Sequence, residues 1–236
     1  MSKVSERFLD VLFTRRCRQC GEVIALDEDY CEECKALKRI TGKTCPKCGR
    51  EVKHCVCAKQ KFSPGYKAFC APYYYKDSVQ RGVLRLKHSG HTQLVPCMAE
   101  RIVQTVKERF DDVTFDAVTF IPMGRIHQFR RGFNQSELLA KEVADALGVP
   151  CEAMLKKIKI TRMQHRSSAA QRKVNLYGAF DIVDAARIQG KTVLLIDDVK
   201  TTGTTLSECA VTLNMHGAKA VYAAAYAVTD AKPNSK

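Results

Sequence analysis

The chain has 236 residues, 45% of them apolar and 27% charged, which is enough to bury a core in one large or two small domains and excludes a disordered tail. Lysine and arginine total 39 against 25 aspartate and glutamate, and the net charge of +14 predicts attraction to phosphates, whether in nucleic acid, in nucleotides or at an anionic membrane surface. No apolar run approaches the ~20 residues that span a bilayer, and the first residues lack a long apolar stretch with a small-residue cleavage site, so a cytoplasmic location without membrane insertion is expected.

The first recognisable pattern is a run of cysteines, eight of the twelve lying between Cys17 and Cys57. Cys17-x2-Cys20 is followed after ten residues by Cys31-x2-Cys34, and Cys45-x2-Cys48 is followed after six by Cys55-x-Cys57. Clustered thiols in a reducing compartment bind metal. Two such pairs complete a closed tetrahedral shell around Zn²⁺, with bonds of ~2.3 Å and no open position, so each site is structural. Gly21 and Gly49 follow the second cysteine of their knuckles and supply the positive φ of the turn. Eight ligands imply two zinc ions. Sequential pairing (17, 20, 31, 34 and 45, 48, 55, 57) closes the shorter loops, whereas a cross-brace would interleave the same thiolates. An iron–sulfur cluster also takes four thiolates, but the glycine-following knuckles favour zinc. Residues 1–62 therefore read as a double zinc-knuckle domain, ending in a linker near residues 59–67 that carries Pro64 and Gly65.

Residues 63–236 alternate strand and helix, the pattern of an α/β parallel sheet with helices on both faces. Tyr73, Tyr74 and Tyr75 read as half-buried strand residues, with base stacking as the alternative. Leu94, Met98, Ile102, Val106 and Phe110 recur every four residues and predict a helix over 92–110. Residues 113–122 predict a strand, followed by a polar loop with Arg125, Arg130 and Arg131 and no acid, suited to diphosphate. SELLAKEVADALG predicts a helix capped by Gly148. From Ala153 to Phe180 no acid occurs, whereas Lys156, Lys157, Lys159, Arg162, Arg166, Arg172 and Lys173 do. This segment could be a lid over an anionic ligand, a track for a nucleic-acid backbone or a solvated loop. KTVLLI over 191–196 predicts a strand buried on both faces, a helix ends at Gly217, and residues 218–228 close the sheet. The scattered Cys70, Cys97, Cys151 and Cys209 read as small buried hydrophobes.

The densest chemistry lies in VLLIDDVKTTGTT, over residues 193–205. At the end of a parallel strand, Asp197 and Asp198 can accept hydrogen bonds from adjacent sugar hydroxyls and sit near a divalent cation. The loop of Thr201, Thr202, Gly203, Thr204 and Thr205 offers backbone N–H groups, hydroxyls and a helix N-terminus to a phosphate. Walker A and G-x-G-x-x-G patterns are both absent. Vicinal hydroxyls, a 5′-phosphate and a metal-bound diphosphate occur together in phosphoribosyl pyrophosphate.

Four apolar residues, two acids and T-T-G-x-T resemble the signature of type I phosphoribosyltransferases. By that resemblance Asp197 and Asp198 hold the ribose diol with magnesium nearby, Thr201 to Thr205 hold the 5′-phosphate, and Arg125 and Arg131 belong to the same site. Purine-salvage members carry an acid where Thr201 stands, and a threonine cannot take a proton near neutral pH. The knuckles, RGFNQSELLA, TRMQHRSSAAQRKVNLYGAF and IDDVKTTGTTL together resemble the ComF family, in which a zinc-binding segment precedes a phosphoribosyltransferase domain. The resemblance implies DNA uptake in natural transformation, with single-stranded DNA and the DNA-translocating helicase ComFA as partners. Three functions are then open: a DNA-handling protein that binds phosphoribosyl pyrophosphate, an active transferase of unknown acceptor, and a scaffold with a vestigial phosphate loop.

Overall fold

The computed structural model describes residues 14–57, 63–158 and 178–230. Of the linker expected over 59–67, residues 59–62, up to the expected boundary at 62/63, lie outside the described residues, whereas Pro64 and Gly65 lie within them. Among the described residues the cysteine-rich part holds one α-helical turn, α1 (Glu32–Lys35), and a 3-10 turn at Val52–His54. Then come β1 (Phe69–Cys70), β2 (Tyr73–Tyr74), α2 (Asp77–Ser89), α3 (Val95–Arg109), β3 (Ala117–Phe120), α4 (Arg125–Arg131) and α5 (Gln135–Leu147). The chain continues through β4 (Leu155–Lys157), β5 (Phe180–Ile182), β6 (Thr192–Lys200), α6 (Thr204–Met215) and β7 (Ala220–Val228).

The sheet runs β1, β7, β6, β3, with β2 continuing the edge begun by β1, and every pairing in it is parallel. A separate antiparallel hairpin joins β4 and β5. Strand alternation divides the core. Leu194 and Ile196 face one cluster with Val83, Leu86, Met98, Ile102 and Val143, whereas Val193 and Leu195 face the other with Leu206, Cys209, Ala210 and Leu213. Helices α2, α3 and α5 therefore cover one face and α6 covers the other, as the alternating pattern requires.

Several sequence expectations shift. The strand expected over 113–122 is confined to Ala117–Phe120, and the helix expected over 92–110 starts with a 3-10 turn at Thr92–Leu94. The arginine loop after β3 is helical, because Gly124 and Gly132 bound a short α4, Gly132 at φ 82°. Strand β6 does not stop at Ile196. It pairs onward with β7 as far as Lys200 against Val228, so the aspartates lie within the strand. Strand β7 is internal to the sheet, with β1 and β2 outside it. Helix α2 has no counterpart among the sequence expectations. Of the four scattered cysteines, Cys70, Cys97 and Cys209 are buried and Cys151 half-buried.

The cysteine-rich segment is packed on this sheet. Arg85 of α2 donates to the Cys20 carbonyl (2.9 Å) and pairs with Glu22 (2.8 Å). A Cβ at Gly82 would stand 2.5 Å from the Gln19 carbonyl oxygen, so the α2 backbone reaches the first knuckle only because residue 82 has no side chain. At the β1 edge, Phe69 N–H donates to Pro46 (2.8 Å), and the Pro72 carbonyl accepts from Ile40 N–H (2.7 Å). Among the described residues no helix is long and apolar enough to cross a membrane.

Candidate functional site

Two sites emerge, one of thiols and one of carboxylates. The two knuckles are built alike. In the first, Gly21 N–H donates to Cys17 O at 2.8 Å and Cys17 N–H to Glu22 O at 2.7 Å; in the second, Gly49 N–H donates to Cys45 O at 2.8 Å and Cys45 N–H to Arg50 O at 2.8 Å. Both glycines have φ near the left-handed value, 76° and 75°. Cys17, Cys20, Cys31 and Cys34 form one group and Cys45, Cys48, Cys55 and Cys57 the other, each with its sulfurs within 4.8 Å of one another. The sequential arrangement is thus the one present. Cys20 Sγ and Cys31 Sγ are 3.6 Å apart, and Cys48 Sγ and Cys55 Sγ are 3.8 Å apart. A tetrahedron with ~2.3 Å zinc–sulfur bonds has edges of about 3.8 Å, so both donor sets fit zinc. A hydrogen bond from Cys34 lowers the Cys20 thiol, to about 5, while the same contact and burial push Cys34 up.

The carboxylates lie at the C-terminal edge of the sheet. Asn134, 4% exposed, caps α5 by accepting from Ser136 N–H (3.1 Å), and its amide donates to Ile121 O at the end of β3 (3.0 Å). That clamp aims Ser136 Oγ at Asp197 Oδ1 (2.9 Å), which also accepts from Asp198 N–H (2.9 Å). Asp198 is only 5% exposed and forms an ion pair with Lys87 near the end of α2. Burial, then the neighbouring Asp198 charge, push the Asp197 carboxyl up to about 8 against the pull of Ser136.

Beyond Lys200 the chain turns through residues 201–203, with Gly203 at φ 85° as the N-cap of α6. Only a residue free of the Cβ penalty holds that cap conformation at no cost. Thr202 Oγ1 lies 3.0 Å from Thr204 Oγ1, and Thr201, Thr202, Thr204 and Thr205 are exposed. The first N–H groups of α6 lack intrahelical partners by construction, and the first of them, Thr204 N–H, donates to Thr202 Oγ1 (3.4 Å).

Arg131 donates to Gln135 Oε1 (2.6 Å) at the start of α5. With Lys87, His88, Arg130 and Phe133 it lines a cleft of about 320 Å³. Arg125 opens α4; its side chain lies outside the described residues. Of the basic residues in the segment after Ala153, only Lys156 and Lys157 lie among the described residues. Lys156 pairs with Asp181 across the β4–β5 hairpin (3.1 Å) and Lys157 sits over the Phe180 ring, 5.8 Å from its centroid. Lys159, Arg162, Arg166, Arg172 and Lys173 fall outside the described residues. Tyr73 is buried and packs edge-on to Tyr226 at 5.5 Å, the strand role rather than base stacking. Lys87, Ser136 and Asn134 were not singled out by the sequence. An Asn-x-Ser start before an apolar-periodic run was a legible cap signal; Lys87 carried none.

A pair of thiolate ribbons joined to a parallel sheet with an Asp-Asp strand end and a Thr-Gly loop defines a zinc-ribbon protein of the type I phosphoribosyltransferase fold. Family models agree: residues 8–71 match the double zinc ribbon domain and residues 134–236 the phosphoribosyl transferase domain. The chain is 30% identical over 214 residues to the DNA utilization protein YhgH of Salmonella typhimurium, covering 87% of this chain and 93% of the relative. It is 28% identical to competence protein F of Haemophilus influenzae (89% and 95% covered) and 29% identical to competence protein ComFC of Bacillus subtilis (76% and 75% covered). The chain belongs to the ComF family.

Protein purified under reducing conditions is expected to carry two zinc equivalents, read by native mass spectrometry, and a chelator is expected to lower the melting temperature of the whole chain because the ribbons cover the sheet edge. Asp197→Asn is expected to stabilise. An aspartate ionises near ~3.9 in the unfolded chain but only near about 8 here, so wild-type stability falls as pH climbs through that window. The variant escapes that fall. Allowing for the water that still reaches the partly buried Asp197, the gain at pH 8 is about 1–2 kcal/mol, shrinking to nothing below pH 4, as read by chemical denaturation.

Proposed function

We propose that this protein acts in DNA uptake or utilization, that its Asp–Thr site binds phosphoribosyl pyrophosphate with magnesium, and that its basic surface engages single-stranded DNA. The observation that carries the reading is the junction of Asp197, Asp198 and the loop of residues 201–205, with Lys87 and Ser136 already satisfying the two carboxylates. Hydroxyls of a ribose are the natural replacement for Ser136 Oγ, and a cation is the natural replacement for the Lys87 ammonium. Magnesium, when bound, supplies charge for the diphosphate oxygens. Asp197 and Asp198 would hold it with the diol, and Thr201, Thr202, Gly203, Thr204 and Thr205 would hold the 5′-phosphate through amides and hydroxyls. Arg131 and Arg125 would face the diphosphate from the β3 side.

The names of the relatives support the DNA role, as do the surplus cations in both parts of the chain. Lys156, Lys157, Lys159, Arg162, Arg166, Arg172 and Lys173 are the proposed contacts to the strand, and the helicase ComFA the proposed protein partner, in the cytoplasm. Transferase chemistry is the second reading. It draws on the cleft of Lys87, His88, Arg130 and Arg131, whose charges would neutralise a departing diphosphate.

Calorimetry with phosphoribosyl pyrophosphate and Mg²⁺ is expected to show saturable binding that disappears in Asp197→Asn/Asp198→Asn; equal affinity in that variant refutes the site. For DNA, affinity for an oligothymidylate should fall with salt. Replacing the seven basic residues with glutamine should flatten the log–log slope by ~0.7 for each phosphate that is no longer neutralised, while diphosphate released only on adding an acceptor marks the transferase.

A further inference from the structure

We infer that the second cysteine cluster positions the phosphate loop, with Arg50 and Thr229 as the residues that transmit its hold. Arg50 follows the Cys48–Gly49 turn and is 7% exposed. Its Nε donates to the carbonyl of Thr229 at 2.8 Å. Thr229, the residue after β7, in turn grips both sides of the junction between β6 and the loop. Its N–H donates to Lys200 O (3.0 Å), and its Oγ1 donates to Thr201 O (3.3 Å). A guanidinium placed by one thiolate knuckle thus holds the residue that holds the loop's first carbonyl.

The same block is packed from its other side. Lys200 is 2% exposed and lies over the Phe69 ring, 5.3 Å from the centroid. Gly49 sits so close to that ring that a Cβ would come within 2.6 Å of it. Tyr66 Oη donates to Lys47 O (2.8 Å), closing the knuckle onto the strand that follows. At its far end the loop is tied separately, by Ser207 N–H to Gly203 O (2.9 Å) and by Gly65 N–H to Ser207 Oγ (3.0 Å). The hydrogen bonds of the first cluster run instead to α2, through Arg85 to Cys20 O and Glu22.

An anion site made of backbone amides works only if those amides are held in place before the ligand arrives, since ordering them afterwards subtracts from affinity. Arg50 and Thr229 touch no ligand atom in this arrangement. They are positioning residues, and the second zinc site acts on the loop through them. The ligand itself is that of the reading above, but the hold on the loop can be measured without it.

The test compares zinc-loaded full-length wild type with Arg50→Met, which keeps much of the stem and loses the donor, and with Lys191→Met, which breaks the 2.8 Å pair to Glu152 at the opposite end of β6. Amide hydrogen exchange across residues 201–206 is expected to quicken about tenfold in Arg50→Met and to stay unchanged in Lys191→Met. Thr229→Val, which removes only the hydroxyl, should give a smaller rise over the same residues. Zinc content should stay at the wild-type value, and affinity for phosphoribosyl pyrophosphate with Mg²⁺ should drop about tenfold in Arg50→Met. Unchanged exchange over 201–206, or acceleration spread evenly over the whole chain, overturns the inference. If Arg50→Met fails to fold, Thr229→Val decides by the same reading. If wild type binds no sugar diphosphate while Arg50→Met still loosens only the loop, the ligand reading falls and the positioning role stands.

Discussion

Two adjacent carboxylates at the inner end of a buried strand repel each other and have lost most of their water, and much of the structure can be derived from how that cost is met. An isolated buried carboxylate would neutralise rather than stay charged. Here Asp198 is ion-paired with Lys87 from α2, whereas Asp197, pushed up to about 8 by burial and the Asp198 charge, keeps its proton near neutral pH beside Ser136 from α5 and the amide of its own neighbour. The two helices that supply these partners lie on one face of the sheet, packed with α3 into a common core. Asn134 ties the start of α5 to the end of β3, so the hydroxyl reaches Asp197 at a fixed angle. The RGFNQ stretch is therefore a mechanical joint: Gly132 ends one helix, Asn134 starts the next, and Gln135 accepts from Arg131 across the turn.

Most of the chemistry was legible in the sequence because it is local. The cysteine spacing dictates two knuckles within a few residues of chain, and the order of strand, acids, threonines and helix is contiguous. What the sequence concealed is either short or distant. Strands β1 and β2 are two residues each, below the length at which an alternation can be seen, and so β7 looked like the end of the sheet. Helix α2 begins with Lys76 as an N-cap that makes no side-chain bond and with Asp77 at φ 49°, so it shows no start signal. Lys87 could not be found without that helix. The arginine segment looked like a loop because glycines bound it, yet those glycines are the start and stop of a short helix.

The ribbons also answer a problem that this small sheet poses. Its edge strand is broken between β1 and β2 by Pro72, and an open edge exposes backbone donors and acceptors to any passing strand. The cysteine-rich segment fills those positions with its own backbone: Ile40 donates to Pro72, and Pro46 accepts from Phe69. Arg39 adds a two-pronged contact to Glu108 of α3, at 3.0 and 2.7 Å, and Arg109 donates to the Ile40 and Gly42 carbonyls. Such a cover has little core of its own, since the first cluster buries chiefly its cysteines. Metal binding must supply most of the free energy that orders it. The sheet edge then shares in that free energy through the same backbone bonds, Ile40 N–H to Pro72 O and Phe69 N–H to Pro46 O.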